Sequence, residues 1–328
     1  MAVVAIAIGA LVIVATKSLW VVGGAQLLIG VGDTSIAPIL AAITLGIVGP
    51  TVFAERISRN EVFNHAGNAA NALLAAVLGY AFGLGYVALA IVVMAAASCL
   101  VLARIDAGTI DHRQARGGDA DDRSTIKALA QTPRLLLLAV AVFMFQTSNG
   151  ALLPFLAQAR TVAGDNPSIV TGVMTVVTQL TMVGAAVVAI PIARRIGFAG
   201  VMSTALILAA ICSLLAAATH SWFLVIVVQV IGGTAMGMSG VAVPALVEDI
   251  MRGTGRAGSG LGAVLTAFGA GATVSPLVAG MDAQRIGFSG SFLVLSAIAL
   301  IGWVIWVLGH WYFERRSAVL NQQKAEPG

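Results

Sequence analysis

Charge is what this sequence has least of. Asp, Glu, Lys and Arg together make up 10% of its 328 residues, against about 25% in a soluble domain. With a mean hydropathy of +0.98, that scarcity excludes an ordinary water-soluble globule. Alternating segments of roughly ten residues, the mark of a transmembrane β-barrel, are missing as well. Cysteine is reduced to Cys99 and Cys212, both inside apolar runs, so neither a disulfide framework nor a metal site follows from them. The sequence has no HExxH, no phosphate-binding loop and no CxxC, so no cofactor or metal is expected and direct ATP coupling has no support. Lysine is rare too. Lys17, Lys127 and Lys324 are the only three among 18 basic residues, and with abundant Ala and Gly this suggests a GC-rich bacterial source. The first apolar stretch has neither a basic lead-in nor a small-residue cleavage site, so no cleaved signal is expected.

What remains is apolar chain in runs long enough to cross a bilayer. The expected fold is all-α, a polytopic helical membrane protein with ten spans, at about 2–16, 20–48, 65–84, 86–104, 134–158, 169–193, 199–218, 222–247, 259–281 and 289–312. The polar, mixed-charge segment 105–133 reads as a linker between residues 1–104 and 134–313, with 314–328 as a tail. With the linker and tail in the cytoplasm and the spans alternating, 15 basic residues fall inside and three outside (Lys17, Arg160 and Arg285). That bias is the positive-inside rule. The net charge of +4 is thus assigned to orientation, and no nucleic-acid partner is expected.

A weak internal match appears between two spans. From Trp20 the chain reads WVVGGAQLLIGVGDTSIAPIL, and from Trp222 it reads WFLVIVVQVIGGTAMGMSGVAVPAL. Each runs Trp, Gln, a Gly-rich middle, then Pro, so Gln229 mirrors Gln26. If the two are equivalent halves of a six-plus-six protein, two helices precede the first span. On these residues the sequence resembles the major facilitator superfamily of secondary transporters. Gln26, Gly30 and Gly32 match that family's fourth-helix pattern, with Gln26 where an Arg usually stands. Arg195 and Gly197 match its loop between helices eight and nine, with Arg194 where an Asp usually stands. The antiporters' Gly-Pro signature is absent from LGYAFG at 78–83. The resemblance implies a two-half bundle with an incomplete first half, in the inner membrane of a bacterium. It implies a monomer that moves a small molecule, with export favoured over import.

Several polar residues sit where lipid would penalise them. Asp33 lies in the middle of a span, where an ionised Asp costs roughly 2.5–3.5 kcal/mol. It is the first candidate for proton coupling. Glu61, Asn64, Asn68 and Asn71 follow at i, i+3, i+7 and i+10, one helical stripe with His65 on its edge. Such a stripe is expected to face the bundle interior, with Glu61 and His65 as further proton carriers and the three Asn residues along the transport path. Gln146 and Asn149 precede Gly150 and Pro154, where the helix should kink and line a cavity. Gln26 and Gln229 complete the path candidates. Thr171, Thr175 and Thr178 read as polar contacts between helices, and the glycines at 258–271 as close-packing positions.

Two rival readings stand beside transport. One is a transport-incompetent remnant of such a transporter. The other is an intramembrane serine hydrolase, because GMSG at 237–240 and GFSG at 287–290 match a Gly-x-Ser-Gly turn. Two copies of a single-nucleophile motif argue for chance, and no histidine is expected deep in the membrane to serve as base.

Overall fold

The computed structural model describes residues 1–116, 132–219, 221–254 and 256–325. Among them α1 is Ala2–Ala15, α2 Leu19–Val48, α3 Pro50–Phe82 and α4 Leu84–Leu102. A 3-10 turn (Ala107–Thr109) and a short α5 (His112–Arg116) follow. Then come α6 (Pro133–Asn149), α7 (Leu152–Val162), α8 (Pro167–Ala217), α9 (Trp222–Met251) and α10 (Ala257–Ala325). Six helical stretches are long and apolar enough to cross a membrane: Leu19–Val48, Gly85–Leu102, Pro133–Val162, Ile169–Ala217, Trp222–Met251 and Ala257–Arg316.

Two of these are far longer than a bilayer is thick. The 49 residues of Ile169–Ala217 would run about 74 Å as a straight helix, against a hydrocarbon core of about 30 Å. Each long run is broken at one glycine, Gly197 (φ 71°, ψ 164°) or Gly287 (φ 74°, ψ 173°). The gaps expected at 194–198 and 282–288 therefore shrink to single residues. Gly49 (φ 72°) and Gly83 (φ 90°) join α2 to α3 and α3 to α4 in the same way. These angles are open in practice only to glycine. The last two turns share one phrase, RIGFAG at 195–200 and RIGFSG at 285–290. In each, the Ile folds over the second Gly, where an added Cβ would meet side-chain atoms of Ile196 or Ile286 at under 3 Å.

The boundary expected at residue 65 moves furthest. Helix α3 starts at Pro50, so the whole polar stretch from Arg59 to Asn71 is helix interior. Of the expected linker, residues 117–131, with Arg123 and Lys127, lie outside the described residues, as do His220 and residues 326–328. The part described is anchored. Asp111 Oδ1 accepts from the backbone N–H groups of Arg113 (2.8 Å) and Gln114 (3.0 Å), capping α5. The Asp111 N–H donates to the Gly46 carbonyl at 3.0 Å, tying α5 to the end of α2. These backbone donors hold the Asp111 carboxyl below its usual range. The expected tail begins inside α10, which continues to Ala325.

Helices α1 to α4 pack on one another, and α6 to α10 form a second, denser group. Small residues set the closest approaches. Gly233 and Gly237, four apart on α9, lie against the Thr178 and Met182 carbonyls of α8, where an added Cβ would come within 2.7 Å. This is the Gly-xxx-Gly geometry of membrane helix pairs. Of the glycines expected to allow close approach, Gly260 meets Met251 and Gly271 meets the Phe143 carbonyl, whereas Gly262 and Gly269 face open space.

Candidate functional site at the seam between the helix groups

The two groups meet along α2 and α3 on one side and α8, α9 and α10 on the other. The contacts begin at the Gly49 turn. Ala41, Leu45, Phe53 and Ile57 enter the same apolar core as Ala242, Leu246, Val247 and Leu261. Glu55 pairs with Arg194 across the seam. Arg194 is the residue that stands where the family resemblance expects an Asp, so its charge is used here in a contact between the groups. The Ser58 hydroxyl donates to the Ala186 carbonyl at 2.5 Å. Nearby, Glu248 takes a two-point contact from Arg252, at 3.2 Å to Nε and 3.0 Å to Nη2. Asp249 adds a third contact at 3.3 Å. Hydrogen bonding to the Glu248 carboxylate raises the Arg252 pKa above its ordinary value.

Two turns further along α3 is the centre of the seam. Glu61 lies against Gly240 of α9, where an added Cβ would be 3.3 Å from its Oε2. Asn64 donates to that same oxygen at 3.3 Å. His65 is 5% exposed, so the edge of the stripe is buried against the opposite group. Its Nδ1 is 3.2 Å from Gln179 Oε1 on α8, a partner 114 residues away. Its Nε2 is 3.3 Å from Glu61 Oε2. That is ion-pair distance but off the line of a hydrogen bond, and Nε2 is among the buried polar atoms without one.

Beyond His65 the stripe leaves the seam. Asn64, Asn68 and Asn71 are exposed rather than buried against another helix, and so are Thr171 and Gly172 on α8. Asn71 lines a 440 Å³ cleft with Val3, Ile6, Leu74, Val87 and Met94, within the first helix group. Gln26 and Asp33 are exposed on α2. Gln229, the mirror of Gln26, is 2% exposed and accepts from the Thr178 hydroxyl at 2.7 Å. Of the three threonines expected between helices, Thr178 makes that contact while Thr171 is exposed.

Helix α6 ends at Asn149 and α7 begins at Leu152, so the break expected at Pro154 is present. Gln146 is buried there, and Gln146 Oε1, Ser148 Oγ, Asn149 Oδ1 and Gln229 Nε2 are buried polar atoms without hydrogen-bond partners. Asn149 Oδ1 lies over Gly232, at 3.9 Å from where a Cβ would stand. The freed Ala151 N–H is met at 2.8 Å by Ser275 Oγ from α10. Sequence reasoning missed Ser275, and it set Gln179 beside the threonine stripe without its partner His65, since nothing local marks a partner more than a hundred residues away. The serines of the hydrolase reading are used otherwise. Ser239 Oγ donates to the Met236 carbonyl at 2.9 Å within α9, and Gly287 of the second motif is a helix-to-helix turn.

A family model, described as the Major Facilitator Superfamily, matches residues 135–328. An uncharacterized MFS-type transporter of Mycobacterium tuberculosis, in strains CDC 1551 and H37Rv, is 34% identical over 297 residues. The match covers 86% of this chain and 69% of that protein. Two solved structures share the fold. The human organic anion transporter MFSD10 aligns with a TM-score of 0.70 and 18% identity, covering 93% of this chain and 75% of its own. The MFS transporter FucP in the outward conformation aligns with a TM-score of 0.66 and 12% identity, covering 94% and 82%. With its second helix group inside the matched region and a 34% identical relative along most of its length, the chain belongs to the Major Facilitator Superfamily of membrane transporters.

Proposed function

We propose that this membrane transporter moves a small molecule by alternating access between its two helix groups, and that a proton held between Glu61 and His65 drives the exchange. The observation that carries the reading is the position of His65, which touches Glu61 on its own helix and Gln179 on the opposite group. With the Gln179 oxygen facing Nδ1, that nitrogen is the donor. Nε2 and the Glu61 carboxylate then need one proton between them, because two lone pairs at 3.3 Å repel. Protonated, the pair helps hold the seam. Once the proton leaves, a carboxylate faces a bare ring nitrogen and the seam loosens. On the opposite group the residues that meet the pair are uncharged, Gln179 from α8 and Gly240 from α9, while α2 on the same group carries Asp33.

Asp33 is kept as a second coupling group, and Asn68, Gln146, Asn149 and Gln229 as path residues. The basic-residue bias supports a cytoplasmic linker, the Arg-, Ala- and Gly-rich composition supports a bacterial inner membrane, and family habit supports export. A monomer is sufficient, because both sides of the seam belong to one chain. Neither the hydrolase reading nor the remnant reading gains support from the relatives.

The test needs no substrate. Spin labels at Asn68→Cys and Thr171→Cys, in a Cys99→Ser background, read the width of the seam above His65. The distance distribution should shift between pH 8.5 and 5.5, and His65→Asn should freeze it while the protein still melts at the usual temperature. A distribution that ignores pH in the His65-containing protein would sink the coupling.

A further inference from the structure

The stretch after α4 has no part in the exchange proposed above. Its polar, mixed-charge sequence suggests a free linker, yet residues 110–115 lie against the end of α2. The Asp111 N–H bond to the Gly46 carbonyl, at 3.0 Å, is one hold. Gly46 is another. A Cβ added there would stand 2.9 Å from Ile110 Cγ2, 3.0 Å from Ala115 Cβ and 3.1 Å from the Asp111 carbonyl oxygen. Only a glycine lets the two backbones come so close. The Gln114 side chain covers the α2–α3 turn, with its Oε1 3.1 Å from where a Cβ on Gly49 would be.

The other side of α5 faces the second helix group. Ala115 lines a crevice with Leu45 and Phe53 of the first group and Pro244, Val247 and Leu261 of the second. At Gly258, in the first turn of α10, an added Cβ would be 3.8 Å from the Ala115 carbonyl oxygen, which is ordinary van der Waals contact. Beside it Asp111, Arg113 and Gln114 line a 370 Å³ cleft with Glu248, Arg252 and Ala257. The two sides of α5 are therefore unequal. Toward α2 there is a backbone hydrogen bond and room for nothing larger than glycine. Toward α10 there is looser contact next to an open cleft. An element held in this way moves with α2 and parts from α10.

We infer that α5 is a clasp. It travels with the first helix group and, docked on the start of α10, holds the Gly49 end of the seam shut. That end opens only when α5 lifts from Gly258. The inference rests on the alternating-access reading above and adds a device that controls the same seam. The Glu55–Arg194 pair crosses the seam nearby, but both side chains are largely exposed, and such pairs hold little.

Gly46 gives the means to test it, because the three atoms nearest its added Cβ all belong to residues 110–115. Spin labels at Arg56→Cys and Arg195→Cys, in a Cys99→Ser background, read the Gly49 end. Both positions are exposed, and each adjoins one member of the Glu55–Arg194 pair. Gly46→Val should enlarge the fraction of molecules at the wider distance at least threefold. Adding Ile110→Ala and Ala115→Gly, which clear the side-chain clashes, should return it to the starting level, as a merely damaged α2 would not. On the docking side, Gly258→Phe should widen the distribution, whereas Gly258→Ala, which has room, should not. A distribution that ignores both Gly46→Val and Gly258→Phe, or a widening that the clearing substitutions leave in place, would overturn the clasp. The labels above His65 separate the two readings. If Gly46→Val opens the Gly49 end of a protein whose outer labels ignore pH, the clasp stands and the proton coupling goes. Outer labels that follow pH, with an unaltered Gly49 end in Gly46→Val, mean the reverse.

Discussion

The two helix groups are built to different standards. In the most apolar window of α9, 56% of the residues are buried, whereas in α4 the figure is 11%. Helices α6 to α10 bury amides, hydroxyls and glycine contacts deep in their core but keep most of their charge near their ends and beside the Gly197 and Gly287 turns. Helices α1 to α4 pack more loosely and carry Asp33, Glu61 and His65 away from any helix end or turn. The difference suggests a division of labour in which a close-packed body supplies a fixed, uncharged wall and a lighter group brings the titratable side chains to it.

The strongest way to break that comparison is to push a side chain into each group. Gly237→Leu should drive α9 off the Met182 carbonyl and Ala185 and destabilise the protein by about 3 kcal/mol or more. Gly67→Ala, in the interior of α3 with nothing within 4 Å, should instead raise stability by up to ~1 kcal/mol through helix propensity. Thermal melting in detergent reads both, and equal losses would erase the distinction between the groups. Next in size are the glycine turns. Gly197→Ala forces an alanine to φ 71° and should cost about 1–3 kcal/mol, while Gly184→Ala, helical and uncrowded, should not.

Smaller effects probe the seam itself. Arg194→Glu places like charges beside Glu55, both largely exposed, so a loss of about 1 kcal/mol or less is expected. The double swap with Glu55→Arg should restore the melting temperature, and high salt should mute both effects. The smallest effect concerns α5. The folded Asp111 carboxyl is held below its ordinary value of 3.8, so its contribution is complete above that pH and fades as pH falls through the lower folded value. Hydrogen exchange at the Ala115 N–H should therefore speed up only in strong acid, and Asp111→Ala should speed it up at neutral pH.

Much of the fold was legible because membrane helices follow from local composition. The apolar runs at 20–48, 86–104 and 222–247 match α2, α4 and α9 within a few residues, and Pro154 marks the break between α6 and α7. The turns were less legible. A polar gap around Arg194 suggests a loop, yet one glycine turns the chain, and the RIGFxG phrase common to both turns is hidden under a family loop motif in its first copy and a Gly-x-Ser-Gly match in its second. The α3 boundary was missed because Glu61, Asn64 and His65 lower the apolarity of a stretch that is helical throughout. For the candidate site, the stripe from Glu61 to Asn71 was readable from spacing. Its division at His65, buried on one side and exposed on the other, depends on Gln179 and Gly240 in distant helices. Likewise, the pairing of Gln26 with Gln229 rests on pattern, but only Gln229 found a Thr178 to bury it.

The single-glycine turns carry a mechanical consequence. A joint of one residue has almost no play, so helices on either side of Gly49 and Gly83 can neither slide nor lengthen against each other without unwinding. Slack is left at a multi-residue connection such as 163–166. Helices α2, α3 and α4 thus form one lever, with Asp33 and His65 fixed at the same distance along its arms. Any tilt of that lever carries the polar residues of α2 and α3 with it, so that their displacements are tied to one another.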